Sequence, residues 1–529
     1  MKRNEDRTNA VNDPAAWPKH TRNTVTSFRV GSVLIAVWFI AGKLMAQDTN
    51  TIKLIQQLQK RIDELEQKVK TLEGAKPAST PSANDADEKQ RLEQIDQQVG
   101  ILRRQRELDE ESAMARAKEA PKISLGDQGF SFASANGNFG VQLKGVLQAD
   151  SRAFFDDAGV TGNDSFVLRR ARPILQGTVF RDFDFQFIPD FGGTGGAQIY
   201  DAFVNYRYSP ALQLQAGKFK TPIGLEQLQA DRDLLFNERA LPTDLVPNRD
   251  LGFELHGDLF GGIASYAAGI FNGIGDARNS SNADFEDNQA FAGRLFFQPF
   301  KNTATPALQG FGFGLAGSFE DMQGTNTTGL PATTGGSLAG FATVGQQQFF
   351  AYNPTNAAVV AHGEHWRLSP QGYYYFGPFG FLGEYVISDQ RVSRIGSAPF
   401  LTRRLQNTSW QVAASWVLTG EDATFGSIVP RRNFAPREHG WGALQLVARF
   451  SELDVDPDAF PLFSDAATSA RSAREWSVGL NWYLNRNVKV MTSFSHTFFQ
   501  GGGGRGASAP AVVTREAENA LFTRVQLAF

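Results

Sequence analysis

Cysteine is absent from the 529 residues. No disulfide framework is therefore possible, and the chain is compatible with export without disulfides. Long apolar runs are also missing. Only Val30 to Gly42, bounded by Arg29 and Lys43, is continuously apolar, and at about 13 residues it falls short of the ~20 that a membrane-spanning helix needs. A bundle of membrane-spanning helices does not fit this chain. The run suits the core of a signal peptide with processing after Ala46, so residues 1–46 read as a leader. The stretch from Met1 to Phe28 is longer than a usual n-region and holds acidic residues, so either the leader is unusual or the true start lies downstream. A short uncleaved inner-membrane anchor is the alternative. Basic runs are missing too, and with a formal net charge of −3 nothing points to nucleic acid or another polyanionic partner.

What is abundant is phenylalanine (44) and glycine (52), distributed in segments that alternate apolar and polar residues. From Phe139 to Arg152 one parity holds Phe139, Val141, Leu143, Leu147 and Ala149, and the other Gln142, Lys144, Gln148, Asp150 and Arg152. The same period of two recurs around Phe183 to Phe187, Trp410 to Leu418 and Trp476 to Leu484. It ends with Leu521, Thr523, Val525, Leu527 and a terminal Phe529. A strand with one apolar and one polar face fits a wall that meets lipid outside and water inside. The fold class expected for residues 139–529 is all-β: an antiparallel transmembrane β-barrel of about 16 strands in the bacterial outer membrane. Tyr206, Tyr208, Trp410 and Trp476 suit an interfacial aromatic girdle.

Under that count alternate connections are short: Arg181-Asp182, Ser209-Pro210, Gly261-Gly262, Gly377-Pro378 and Asn485-Arg486-Asn487. The others are long, including Thr221 to Asp250, Gln323 to Glu364 and Glu452 to Arg471. Glu421 to Glu438 breaks the rule, so either the count slips there or a short turn is elaborated.

Before the barrel, residues 47–119 carry two heptad seams, Ile55, Leu58, Ile62, Leu65, Val69 and Leu72, then Leu92, Ile95, Val99 and Leu102 up to Arg106. A linker rich in Pro, Ser and Ala separates them. These read as short periplasmic coiled coils; a single amphipathic helix docked elsewhere is the alternative. Ile at a with Leu at d suggests a dimer by itself. Residues 120–138 read as a lead-in.

Four blocks resemble the phosphate-selective porin O and P family: Ser165 to Arg172, Gly217 to Gly224, Asn237-Glu238-Arg239 and Asn248 to Gly252. The resemblance implies a sixteen-stranded homotrimeric barrel, a long third loop folded inward, and basic side chains that guide small anions such as phosphate.

Passive permeation needs no catalytic residue, metal or cofactor, only a water-filled bore with a charged narrow region. Arg170 and Arg172 share a parity with Gln176 and Thr178 and are expected in the lumen, Arg169 on the lipid side. An alternative is that the arginines pair with Asp184 and Asp201 to brace the wall. Thr221 to Asp250, too apolar for solvent, is expected inside the barrel with Arg232, Arg239 and Arg249, though it also carries six carboxylates. Lys218 and Lys220 share the parity of Leu212 and Leu214; a bulge would turn them inward, and otherwise they are interfacial. No histidine lies in a catalytic context, His365 beside Glu364 included, so no enzyme is expected. The rival reading is an outer-membrane tether or adhesin with a plugged barrel.

Overall fold

The computed structural model describes residues 60, 61, 63–68, 70, 71, 84–155, 162–193, 196–280, 288–323, 338–352, 358–395, 401–505 and 512–529. The leader and Ile55, Leu58, Ile62, Val69 and Leu72 of the first seam lie outside these residues.

The chain divides into two units, 1–109 and 110–529. The described residues between 60 and 71 are helical. Helix α1 (Asn84–Glu119) carries the second seam, with Leu92, Ile95, Val99 and Leu102 exposed. It runs past Arg106, where the heptad ends, because the following residues are mainly Arg, Glu, Ala and Lys, all good helix formers, until Pro121 follows its end.

Sixteen antiparallel strands form the barrel: β1 (Gly140–Phe154), β2 (Ser165–Val179), β3 (Phe183–Asp190), β4 (Gln198–Ser209), β5 (Leu212–Lys220), β6 (Arg249–Leu259), β7 (Ala264–Phe271) and β8 (Ala290–Phe297). They continue with β9 (Phe311–Gln323), β10 (Ala358–Phe376), β11 (Phe379–Ile395), β12 (Leu401–Val417), β13 (Ala443–Asp454), β14 (Ala470–Tyr483), β15 (Val488–Arg505) and β16 (Glu518–Ala528). Each pairs with the next, and β16 closes on β1 from Ala528↔Val146 to Ala520↔Phe154. Closure removes every edge, the condition for placing strands in lipid.

Alternation sorts the faces as the sequence predicts. Leu143, Leu147, Val525 and Leu527 lie outward, whereas Gln148, Asp150, Arg524 and Gln526 are buried within the bore. Tyr206, Tyr208 and Trp476 are exposed on the outer wall.

The five short turns fall where expected. The connection between β12 and β13, residues 418–442, is an elaborated turn, and the strand count holds through it. Its apolar residues Ala423 and Ile428 pack on Val417, Ala443 and Tyr483, so it folds into the barrel's end instead of standing in water.

The lead-in forms a hairpin, Lys122–Gly126 with Gly129–Ala133, and its second strand pairs with β1 at Gly140 to Leu143. It takes up the edge of β1 that β16 is too short to reach.

Candidate functional site: the bore beneath the third loop

Loop 3, residues 221–248, leaves β5 and crosses the bore. Its apolar residues Ile223, Leu225, Leu234, Phe236, Leu241 and Leu245 are each at most 2% exposed. Inward polar groups of the wall satisfy its backbone. Glu384 of β11 accepts from Leu225 N (2.7 Å), and Gln371 of β10 donates to Ile223 O (2.7 Å). Asn481 of β14 donates to Leu235 O (2.9 Å), Lys489 of β15 to Arg232 O and Leu234 O (3.1 Å each), and Gln148 of β1 to Asp231 O (3.2 Å). A buried loop needs such partners for its orphan backbone groups, and this wall supplies them from several sides.

Three loop carboxylates anchor it. Asp231 meets Arg239 at 2.7 Å, Arg170 at 3.4 Å and Arg172. Glu238 meets Arg169 (2.6 Å), Arg152 (3.3 Å) and Arg524 (3.5 Å), and Arg524 also holds Asp150 (2.6 Å). Glu226 meets Arg449 (3.5 Å), which reaches Glu475 (3.1 Å). Burial pushes the Asp231 carboxyl up, but Arg170, Arg239 and Arg172 together outweigh it and hold it well below the usual carboxylate range. Glu238 is likewise held low, burial being overcome by Arg169, Arg170 and Arg524.

Arg169 corrects the expectation of a lipid-facing side chain. In the β1–β2 register Gln148 pairs with Arg170 and Ala149 with Leu168, so Arg169 is the extra residue of a β-bulge. The bulge turns it inward beside Arg170. This spares the ~2–4 kcal/mol that an arginine costs at the lipid midplane.

The other predicted residues separate into two groups. Arg170, Arg172, Arg239 and Arg249 are all in ion pairs, Arg249 with Asp201 at 2.8 Å. Bracing of the wall is thus present, but Arg170 and Arg172 use Asp231 and Asp190, while Asp184 takes Arg207. Lys218 donates to Ser280 O in the fourth loop, between β7 and β8 (2.5 Å), and Lys220 to Gln229 O in the third (2.7 Å). Arg232 keeps a 46% exposed side chain, with Asp233 at 3.6 Å.

Beneath loop 3 a cavity of about 390 Å³ runs along β1 to β6, lined among others by Lys144, Arg172, Lys220, Asp231, Arg232 and Glu254. A neighbouring cavity of about 210 Å³ shares Lys220, Leu228 and Glu254 and adds Asp258 and Arg294. Counted over both linings there are six Lys and Arg against four Asp and Glu. Lys144 and Arg294 were not among the predicted site residues. The signal for Lys144 was its water-facing parity with Gln142 and Gln148. That for Arg294 was its place as the single charged residue of an otherwise apolar strand. The opposite part of the bore is filled: Phe425 of the long turn stacks on Tyr373 (5.3 Å), its carbonyl accepts from Gln229 (2.6 Å), and Leu225 and Leu235 pack there. Towards the loop end, Phe341, Phe349, Phe350 and Phe463 pack inside the barrel on Leu241 and Leu245.

Residues 141–529 match the family described as phosphate-selective porin O and P. The chain belongs to that family. It is an outer-membrane porin, as the family and the sixteen-stranded closed barrel together require. No curated protein sequence matches it. Among solved structures the porin is similar to the outer-membrane channel DcaP of Acinetobacter baumannii (8% identity, 74% of this chain and 98% of that one, TM-score 0.46). It is also similar to the anion-selective porin from Comamonas acidovorans (12%, 74% and 100%, TM-score 0.44). A third is Salmonella typhi OmpF in complex with daunomycin (10%, 77% and 100%, TM-score 0.45).

One cluster in the porin has a catalytic outline. Ser388 Oγ, His365 and Glu320 stand in series at 2.9 Å each. Yet His365 and Ser388 are wholly buried, Ser388 donates to Asp276 (2.6 Å), and Arg367 bridges Asp276 (2.6 Å) and Glu320 (2.9 Å). Held in these contacts, the cluster ties the fourth loop, between β7 and β8, to β9, β10 and β11. His365 therefore faces the bore, whereas its neighbour Glu364 is exposed and pairs with Arg404.

Proposed function

We propose that this porin passes small hydrophilic anions, phosphate among them, along the cavity beneath loop 3. The observation that carries the reading is the state of the cations there. Lys144, Lys220 and Arg294 meet no carboxylate at ion-pair distance among the described residues, and Arg232 keeps nearly half of its side chain exposed beside Asp233. Fixed cations in a narrow bore act through a lower effective dielectric than bulk water, so a few can select the ion even in a slightly acidic chain. Arg170, Arg172 and Arg239 hold loop 3 in place through Asp231, and the cations without a carboxylate partner add the field that favours anions. Replacing Lys144 and Arg232 together by Gln is expected to lower the anion-to-cation permeability ratio, read from the reversal potential in a salt gradient. A ratio equal to that of the parent contradicts this assignment.

In the same reading the working form is a homotrimer in outer-membrane lipid, with the helical segment on the periplasmic side and its exposed seam joining three copies. The apolar packing at the loop end favours a narrow channel and gives the tether reading its one support. Single-channel recording separates them, since a plugged barrel passes no current.

A further inference from the structure

We infer that Tyr200 is a positioning residue for the anion path: it holds Arg172 and Arg249 so that each turns one amino edge towards the cavity beneath loop 3. The inference rests on the anion reading above.

Strict alternation would not place Tyr200 in the bore. Asp201 and Phe203 line the cavity and Asn205 follows on the same parity, which sends residue 200 outward to lipid. The β3–β4 register breaks at this point: Ile188 pairs with Asp201 and Pro189 with Ile199, leaving Tyr200 as the extra residue. It is a second bulge at the level of loop 3, beside the one that turns Arg169 inward, and it re-aims its side chain in the same way.

The guanidinium carbon of Arg172 lies 3.7 Å from the centre of the Tyr200 ring and that of Arg249 lies 3.6 Å from it. Two such groups on one face would collide, so they stack on opposite faces. The ring attracts each cation through its quadrupole and keeps the two like charges apart. Carboxylates and an amide then fix the remaining direction. Arg172 donates through Nε to Asp190 (2.7 Å) and through Nη1 to Asp231. Arg249 donates through Nε to Asp201 (2.8 Å) and through Nη1 to Asn248 (2.7 Å). In both, Nη2 is the edge left over by these hydrogen bonds among the described residues, and both arginines line the cavity. The pair therefore presents two oriented donors to a passing oxyanion, an arrangement that depends on the planar, forked shape of arginine.

Reversal potentials of the full-length porin in planar bilayers test this. Tyr200→Leu is expected to lower the anion-to-cation permeability ratio about two- to fivefold, the loss expected for one to two stacking contacts. Tyr200→Phe, which keeps the ring, is expected to match the parent. Arg249→Lys keeps the charge but not the plane, and is expected to fall with Tyr200→Leu. This variant also carries the test should Tyr200→Leu fail to assemble. A parental ratio in Arg249→Lys or in an assembled Tyr200→Leu overturns the inference, as does a Tyr200→Phe as impaired as Tyr200→Leu. A parent that prefers cations overturns instead the reading on which it rests.

Discussion

Glu238 shows what one side chain does in this bore. It faces Arg169, Arg152 and Arg524 and is itself 6% exposed. Removing one partner of a buried, hydrogen-bonded charge pair costs roughly 3–5 kcal/mol, because the other is left uncompensated. Glu238→Ala should therefore release loop 3, seen as faster proteolysis within 221–248 while the barrel stays intact; cleavage at the parental rate would show that the anchor lies elsewhere. The pH dependence follows from the same groups. A carboxylate held below its ordinary value, 3.8 for Asp231 and 4.5 for Glu238, adds stability above that value and loses it as pH falls through the depressed one. Loop 3 should thus stay anchored from neutral pH down to about pH 5 and loosen only in stronger acid. Asp244 has the opposite sign. Burial pushes it up to about 8, although Ala342 N, from the connection between β9 and β10, donates to it at 2.9 Å. Its contribution is complete below 3.8 and is lost as pH rises through about 8. A fall in thermal midpoint between neutral and alkaline pH, absent in Asp244→Asn, is the expected result.

At the scale of strands and loops, the closing seam is the most specific contact. Phe529 and Gly145 exchange both backbone hydrogen bonds, at 3.0 and 3.1 Å, and a Cβ on Gly145 would stand 2.8 Å from the Phe529 ring. Phe529→Asp and Gly145→Val should each lower the amount of heat-modifiable barrel in the membrane; normal levels in both would mean that this seam does not govern assembly. Sixteen strands, five tight turns and the inward third loop were legible in the sequence because period two and loop length record which face meets water. The bulges were not. Arg169 and Tyr200 each break the alternation by one residue, and nothing local to Leu168-Arg169-Arg170 or Ile199-Tyr200-Asp201 announces it; only the partner strand's register does. Pairing was hidden for the same reason. Arg172 and Asp231 are far apart in the chain, so an arginine-rich strand read as a filter when much of it anchors a loop. Lys144, by contrast, stood on the right parity from the start.

At the scale of the whole molecule, a closed barrel combines a floor made by one long turn with a cavity along β1 to β6. Deleting residues 50–110 should weaken the trimer without abolishing barrel folding, checked by cross-linking or native mass measurement. A full-length protein that is wholly monomeric would contradict the trimer. The measurement closest to the central claim is the reversal potential of the parent porin across a potassium chloride gradient, repeated with potassium phosphate. The expected result is a measurable channel whose reversal potential has the sign of anion preference in both salts. A potential of the opposite sign, with the loop carboxylates governing the bore, or no channel at all, would contradict it.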